Sequence, residues 1–345
     1  MVPLSARMVL ALIVGVALSL EAWVAWGYDA DTPMMDKLDA YAADPGPKKD
    51  LFVLGTCLSE QTVQARLLER ELGDVDVHNL ATQASSSLIW YLVVDGQLPD
   101  EGVAAVVIPY GTNDLTNFMD PGESQIMDLA RLRDLPEIVA LTCPNAPCAL
   151  DMLVRKISKA YRYRARIAKS VWVGLGIETN RDEVVDGPVG PEGATGFDPY
   201  ATFDGKVVPG HGPPPEVPNV ASPSAEPGPP IADLGWAPVT SDPKPERAVA
   251  YLEALVAAGE RQGVPIVFVP LPRNPDYPDE RHRDDIEAQR DLVERLVALG
   301  AVHLDLGHVA DLDGTHYLDD SHLTVAGREL VSAALAQELK TLWSR

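Results

Sequence analysis

Residues 51–60 read LFVLGTCLSE, in which four apolar residues lead into a glycine and then into small and polar residues. The apolar run 51–54 predicts a buried strand, and the residues from Gly55 onward predict a turn into a helix. A strand that passes through a glycine turn into a helix is a common way for α/β enzymes to present a nucleophile or a phosphate-binding loop. The turn offers two candidate nucleophiles, Cys57 and Ser59.

Further apolar runs and periodic patterns surround this stretch and predict an alternation of strands and helices. The predicted strands are 51–54, 75–80, 103–109, 264–270 and 302–306. The predicted helices are 60–72, 86–95, 125–133, 150–172, 247–262, 283–299 and 323–342. This alternation predicts an α/β domain with a mostly parallel sheet flanked by helices. Ligands bind at the carboxyl ends of the strands in such sheets, so functional residues are expected directly after them.

The α/β pattern is interrupted by residues 178–246, which contain GPVGPEG, GHGPPPEVP and SPSAEPGPP. Proline and glycine at this density cannot build a regular core. We therefore predict a Pro/Gly-rich insertion that divides the domain into the parts 50–177 and 247–345. The insertion is either a passive loop or a cover over the active face. A polar linker, 28–49, precedes the domain.

The N-terminal residues 1–27 predict a signal anchor or a signal peptide. Arg7 precedes the apolar run 8–20, and an extension to Trp26 approaches the roughly 20 residues of a membrane-spanning helix. A positive charge before the run and acidic residues after it predict that the rest of the chain lies outside the cytoplasm, in the periplasm or cell envelope. Anchoring in the inner membrane through residues 8–26 and cleavage of a signal peptide both remain open.

The composition excludes one class of partner. The chain of 345 residues carries a formal net charge of −23, and nucleic-acid binding requires a basic surface. The stretch 155–169 is basic within this acidic protein. It is interpreted as a site for anionic headgroups, as a site for a polyanionic glycan, or as a solvated helix face.

The three cysteines predict two different roles. Cys143 and Cys148 flank the residues PNAP, and a disulfide across this short loop is plausible outside the cytoplasm. Zinc is less favoured, because no second ligand pair has suitable spacing. Cys57 is left over, and it is either a reactive thiol or an inert, buried residue.

Four polar stretches follow strands or precede the last helix, and their order resembles the SGNH (GDSL-type) hydrolase superfamily. They are GTCLS at 55–59, NLATQAS at 79–85, GTND at 111–114 and DDSH at 319–322. The resemblance covers about 51–120 and 264–340 and implies a flavodoxin-like SGNH fold. With the N-terminal apolar run and the insertion, the chain looks like the membrane-anchored subset that esterifies or de-esterifies cell-envelope polysaccharides. That subset implies an acylated glycan or small ester as substrate and a membrane-bound O-acyltransferase as a possible partner.

The resemblance also implies a catalytic triad. Gly55 matches the family glycine, Thr56 stands where aspartate is usual, and Cys57 occupies the position of the nucleophilic serine. His322 matches the base and Asp319 the residue that orients it.

Further residues of the motifs match oxyanion and supporting positions. The amides of Cys57 and Ala84 and the side chain of Asn113 are the implied oxyanion donors, with Ala84 where glycine is common. Gly111 and Asp114 match supporting positions. Ser59 is a poor substitute for Cys57, because residues i and i+2 do not share a helix face.

The residues themselves support this chemistry without the family. A thiol attacks poorly until a base takes its proton, and imidazole titrates near neutral pH. A carboxylate three residues before the histidine can hold the ring in the correct tautomer. A cysteine beside a histidine forms a thiolate–imidazolium pair, and its intermediate would be a thioester.

Three interpretations stay open. Cys57 is the nucleophile of an esterase or O-acyltransferase, or the fold is catalytically degenerate and binds glycan or an assembly partner, or catalysis uses Ser59 or water activated by His322 and Asp319. We predict no cofactor and no metal, and read the acidic residues of 311–320 as a solvated loop rather than a divalent-cation site.

Overall fold

The computed structural model describes residues 15–16, 18–24, 33–83, 85–99, 101–112, 114–116, 123–143, 145–163, 245–277, 283–306 and 309–344. The predicted insertion 178–246 therefore lies outside the described residues except for its last two, and the predicted domain boundaries stay predictions. Within the described part, no helix is long and apolar enough to cross a membrane. Most of the predicted anchor 8–26 falls outside that part, so the anchor also stays a prediction.

The described elements alternate between strands and helices as the sequence predicts, but two helices were not predicted. One of them, Pro33–Ala43, lies in the predicted linker 28–49 and buries Met34 and Leu38, and the other is Leu135–Thr142. The strands are β1 Lys49–Val53, β2 Val75–Asn79, β3 Val103–Tyr110, β4 Ile266–Pro270 and β5 Val302–His303. The helices are α1 Pro33–Ala43, α2 Cys57–Thr62, α3 Ala65–Leu72, α4 Ser87–Gly96, α5 Glu123–Leu129, α6 Leu135–Thr142, α7 Ala146–Ile157, α8 Lys159–Arg162, α9 Pro245–Gln262, α10 Arg283–Ala298 and α11 Val325–Trp343, with a 3₁₀ turn at Gly314–His316.

The strands form one sheet in the order β2-β1-β3-β4-β5, and every pairing is parallel. This is the strand order of flavodoxin-like folds, so the predicted α/β fold class is confirmed. In that order the chain first extends the sheet to one side of β1 and then returns to the other side. Ligands bind in the crevice at this switch point, outside the carboxyl ends of β1 and β3.

Successive residues of the strands point to opposite faces of the sheet, and both faces are buried. Phe52 and Ile108 belong to a core that includes residues of α1, α4 and α9. Val53 and Val107 belong to a second core that includes residues of α3 and α11. Burial on both faces explains why the strands read as continuous apolar runs.

The helix predicted over 60–72 is divided in the structure between Thr62 and Ala65. Side chains from other elements satisfy the backbone groups that the division exposes. The Asn79 amide donates to the Glu60 and Val63 carbonyls, and the Ser332 hydroxyl accepts from the Gln64 amide. The apolar spacing could not reveal this division, because both partners are remote in sequence.

Candidate active site

The turn after β1 requires a glycine at position 55. Gly55 has φ +152°, a conformation that side chains disfavour. A Cβ atom here would lie 2.0 Å from the Ser59 Oγ and 3.1 Å from the Pro109 carbonyl oxygen. The chain passes through an extended Thr56 and enters α2 at Cys57. The free thiol of Cys57 is partly exposed at the first residue of this helix.

Ser59, the second candidate nucleophile, is fully buried. Its hydroxyl donates a hydrogen bond of 2.5 Å to the Pro109 carbonyl of β3. The hydroxyl therefore joins α2 to the sheet and is not directed at the solvent-accessible crevice. This placement removes Ser59 from the candidates for the nucleophile. It also brings the Ser59 Oγ to the place that a Cβ atom at position 55 would need.

His322 lies in the loop that precedes α11 and is held by Asp319. The His322 Nδ1 is 2.7 Å from the Asp319 Oδ2. The other carboxylate oxygen of Asp319 accepts from the backbone amides of Ser321 and His322 at 2.9 and 2.7 Å. These bonds fix the carboxylate and leave one oxygen to orient the imidazole ring.

The pKa of His322 is raised to about 9. The largest cause is a hydrogen bond with the Cys57 side chain, and partial burial opposes it. The Asp319 carboxylate adds a hydrogen bond and a negative charge that raise the pKa further. His322 therefore stands between the thiol and the carboxylate, and its ring is protonated at neutral pH.

Asp319 remains ionised in this arrangement. Burial would raise its pKa, but the amides of His322 and Ser321 and the His322 ring outweigh this effect and hold the pKa of the carboxyl below its usual value. An ionised carboxylate against an imidazole is the arrangement that stabilises an imidazolium during acyl transfer.

Another Asp-x-x-His pattern lies six residues earlier, at Asp313 and His316. Its ring nitrogen lies 2.9 Å from the Asp313 Oδ1, a geometry much like that of the first pair. Here, however, the two side chains form a capping box on the 3₁₀ turn Gly314–His316. The two patterns are indistinguishable by spacing, and it is the pKa of His322 that the Cys57 side chain raises.

Asn274 follows β4 and was not singled out from the sequence. Its side-chain amide donates to the Asp319 carbonyl at 2.9 Å, and its backbone amide donates to the Asp320 carbonyl at 3.2 Å. Asn274 is buried and its side-chain oxygen accepts from the Asp276 amide. It fixes the loop that carries Asp319 and His322. Its place after the carboxyl end of a strand is the signal that could have identified it.

Asp114, after β3, joins the two loops at the switch point. One carboxylate oxygen accepts from the Gly111 amide at 2.8 Å and from the Thr56 hydroxyl at 3.0 Å. Burial raises the pKa of Asp114, although these two hydrogen bonds and the charge of His322 lower it in part. Thr56 thus provides a neutral donor to this partly buried carboxylate.

Two of the predicted oxyanion donors, Ala84 and Asn113, lie outside the described residues. Their loops do approach the turn after β1. The Thr82 amide donates to the Gly55 carbonyl at 3.2 Å, and Asp114 binds Thr56 as described above. The predicted set of Cys57, Ala84 and Asn113 remains a prediction.

The two other cysteines form a disulfide between Cys143 and Cys148, with 5.4 Å between their Cα atoms. Of the chain's three cysteines, Cys57 is therefore the free one. Among the described residues, no group of three or more His, Cys, Asp or Glu side chains is arranged to hold a metal ion.

No protein-family model matches the chain, and no curated protein matches it. A structure from Streptococcus pneumonia, described provisionally as a platelet activating factor, has 11% sequence identity and a TM-score of 0.40, and the alignment covers 97% of this chain and 100% of the other. A GDSL-like lipase from Bacteroides thetaiotaomicron has 10% identity and a TM-score of 0.40, with coverages of 90% and 98%. At these identities and TM-scores, neither similarity bears on the activity of this chain.

Proposed function

We propose that this chain is an acyl-transfer enzyme, an ester hydrolase or O-acyltransferase, in which Cys57 is the nucleophile. The observation that carries the proposal is His322, which is hydrogen-bonded to the Asp319 carboxylate and whose pKa is raised most by the Cys57 side chain. Covalent acyl transfer requires a nucleophile and a base, and a group that orients the base completes the triad.

The reaction follows from the protonation of this trio. In the proposed thiolate–imidazolium pair His322 already holds the proton of the thiol, and the thiolate attacks the carbonyl carbon of an ester. The oxyanion that forms is stabilised by backbone and amide donors, for which Cys57, Ala84 and Asn113 are the candidates. The intermediate collapses to a thioester while the leaving alkoxide takes its proton from His322. Water or an acceptor hydroxyl then gives a proton to His322 and attacks the thioester, which releases the acid or the new ester and restores the thiolate.

We further propose that the acyl groups belong to a cell-envelope polysaccharide and that the domain lies outside the cytoplasm, anchored through residues 8–26. The N-terminal apolar run supports this placement, as does the disulfide between Cys143 and Cys148, since such bonds persist in oxidising compartments. The motif resemblance supports the substrate class. A thioester intermediate favours onward transfer, so a membrane-bound O-acyltransferase is the proposed partner.

Alkylation of Cys57 tests the proposed ion pair directly, because the other two cysteines are bonded to each other. We expect iodoacetamide to label the protein at pH 7 about tenfold faster than it labels His322→Gln, since an imidazolium stabilises the reactive thiolate. His316→Gln is the matched control, because it removes a histidine that is likewise paired with an aspartate three residues earlier, Asp313, and it should leave the rate unchanged. A rate that is indifferent to His322 would favour a catalytically degenerate protein that binds glycan.

Turnover of a p-nitrophenyl acetate type ester tests the reaction itself. The activity should disappear in Cys57→Ala and should be retained in the His316→Gln control. Activity that survives the loss of the thiol would assign the nucleophile to another group. An acyl-enzyme mass on Cys57 after brief exposure to the ester would identify the thioester.

A further inference from the structure

α7 is an amphipathic helix without a single fully buried side chain. Its inner side rests on the domain through Met152, which packs against the core, and through Lys156, whose ammonium donates to the Met127 carbonyl at 2.8 Å. Its outer side carries Leu150, Leu153 and Ile157 at positions i, i+3 and i+7, and these are 62%, 43% and 70% exposed. We call these three residues the apolar stripe.

The N-terminal segment lies beside the apolar stripe. The Glu21 carboxylate accepts from the Ser158 hydroxyl at 2.8 Å, from the Ala160 amide at 3.2 Å and from the Lys159 amide. These three residues directly follow α7, so the segment 18–24 is fixed at the end of the apolar stripe. The segment, together with Val16 before it, presents large apolar side chains to the exterior. These are Val16, Leu18, Leu20 and Trp23, which are 61%, 66%, 43% and 51% exposed.

Two cations near the apolar stripe, Arg155 and Arg162, are paired within the protein. Arg155 forms a salt bridge of 2.5 Å with Asp151, and Arg162 is paired with Asp128. These pairs neutralise much of the basic character that the sequence of 155–163 displays. Within the described residues 155–163, the apolar stripe therefore lies beside cations of which two are paired with carboxylates.

We propose that the apolar stripe of α7 lies in the interfacial layer of the lipid bilayer that residues 8–26 enter. This inference rests on the membrane placement given under the proposed function. The chain itself identifies the bilayer as the partner of the apolar stripe. The apolar run 8–20 leads directly to Glu21, which is hydrogen-bonded to the residues after α7, so a bilayer that receives the run also contacts the stripe. Apolar side chains on one face of a surface helix bury in this layer, and Trp23 is of the type that resides there.

The test is a nitroxide depth measurement on the full chain in phosphatidylcholine nanodiscs. The label is attached to Leu153→Cys in a Cys57→Ser background, and the collision rates with oxygen and with a water-soluble nickel complex are compared. Oxygen concentrates in lipid while the nickel complex stays in water. Ala288→Cys, on the exposed side of α10, is the aqueous control, and Val16→Cys reports on the proposed anchor.

We expect the oxygen-to-nickel ratio at position 153 to exceed that at position 288 by several fold. The inference would be overturned if the oxygen-to-nickel ratio at position 153 equalled that at position 288 while the ratio at position 16 was high, as in lipid. The proposed anchor would then still stand. Water-like ratios at both 153 and 16 would overturn the membrane placement together with the inference. Low collision rates with both reagents at 153 would show that protein covers the stripe, either a second copy or another segment of this chain, and would also refute the proposal.

Discussion

Ser59→Ala should lower the free energy of unfolding by about 1–3 kcal/mol, because the mutation leaves a buried carbonyl without its donor. The Ser59 hydroxyl donates to the Pro109 carbonyl at 2.5 Å, and both residues are buried. The neighbouring β3 carbonyls of Val107 and Tyr110 accept from the backbone amides of Leu54 and Leu271. Beyond Leu54 the chain turns away from the sheet, so the hydroxyl supplies the donor that a strand would have supplied.

The assay is urea unfolding at pH 7, followed for the parent protein, for Ser59→Ala and for Ser344→Ala. Ser344 is the matched control, because its hydroxyl also donates to a backbone carbonyl, that of Thr341 at 2.9 Å, but the residue is exposed. Water can replace the donor at Ser344, so the control should change stability by less than about 0.5 kcal/mol. In a thermal scan, the expected destabilisation by Ser59→Ala corresponds to a shift of about 2–4 °C for each kcal/mol.

A second variant sharpens this prediction. Gly55→Ala should be more destabilising than Ser59→Ala, because its Cβ overlaps the Ser59 Oγ at 2.0 Å and its φ is unfavourable. In the double variant Gly55→Ala/Ser59→Ala the nearest overlap is gone, although the Ser59 Cβ remains 2.5 Å away. The double variant should therefore be destabilised by less than the sum of the two single variants. Equal stability of Ser59→Ala and Ser344→Ala would refute the reasoning. A Ser59→Ala protein of unchanged stability that lost ester turnover would return Ser59 to the chemistry.

Three more predictions concern the histidine loop and the disulfide. Because the pKa of His322 is raised, its contribution to stability is fully present below about pH 6.5 and is lost as the pH rises through about 9. The difference in unfolding free energy between the parent protein and His322→Gln should therefore shrink over that interval. Urea titrations at several pH values measure it. Asn274→Ala removes a donor to the Asp319 carbonyl, so alkylation of Cys57 at neutral pH should slow and the NMR titration midpoint of His322 should fall. Unchanged values would mean that the loop with Asp319 and His322 keeps its conformation without Asn274. Replacing Cys143 and Cys148 by alanine opens a loop of sequence separation 5 and should lower the free energy of unfolding in urea by about 2 kcal/mol or less. Ester turnover should persist, and a loss of turnover at full stability would contradict the expectation that the disulfide does not act on the site.

Much of the fold was accessible from local patterns. The apolar runs around Phe52, Val106 and Phe268 identified central strands, because a strand buried on both faces must be apolar at every position. The alternation of strands with helices gave a parallel sheet, and the carboxyl ends of its strands gave the region of the site. The largest miss was the predicted linker 28–49, part of which forms α1 with Met34 and Leu38 buried in the core. Helix boundaries were also inaccurate, as at the division between Thr62 and Ala65, where Asn79 and Ser332 satisfy the backbone from a distance.

The site divides in the same way. The sequence by itself determined that a glycine turn presents Cys57 and that an Asp-x-x-His pattern precedes the last helix, since both are features of neighbouring residues. The order of the motifs selected His322, although spacing alone does not separate it from His316. Nothing local showed that Ser59 is bonded to β3 or that Asn274 holds the histidine loop. Those contacts depend on which strand ends become neighbours when the sheet assembles. Strand order and packing fix such distances, and no local periodicity along the chain encodes them.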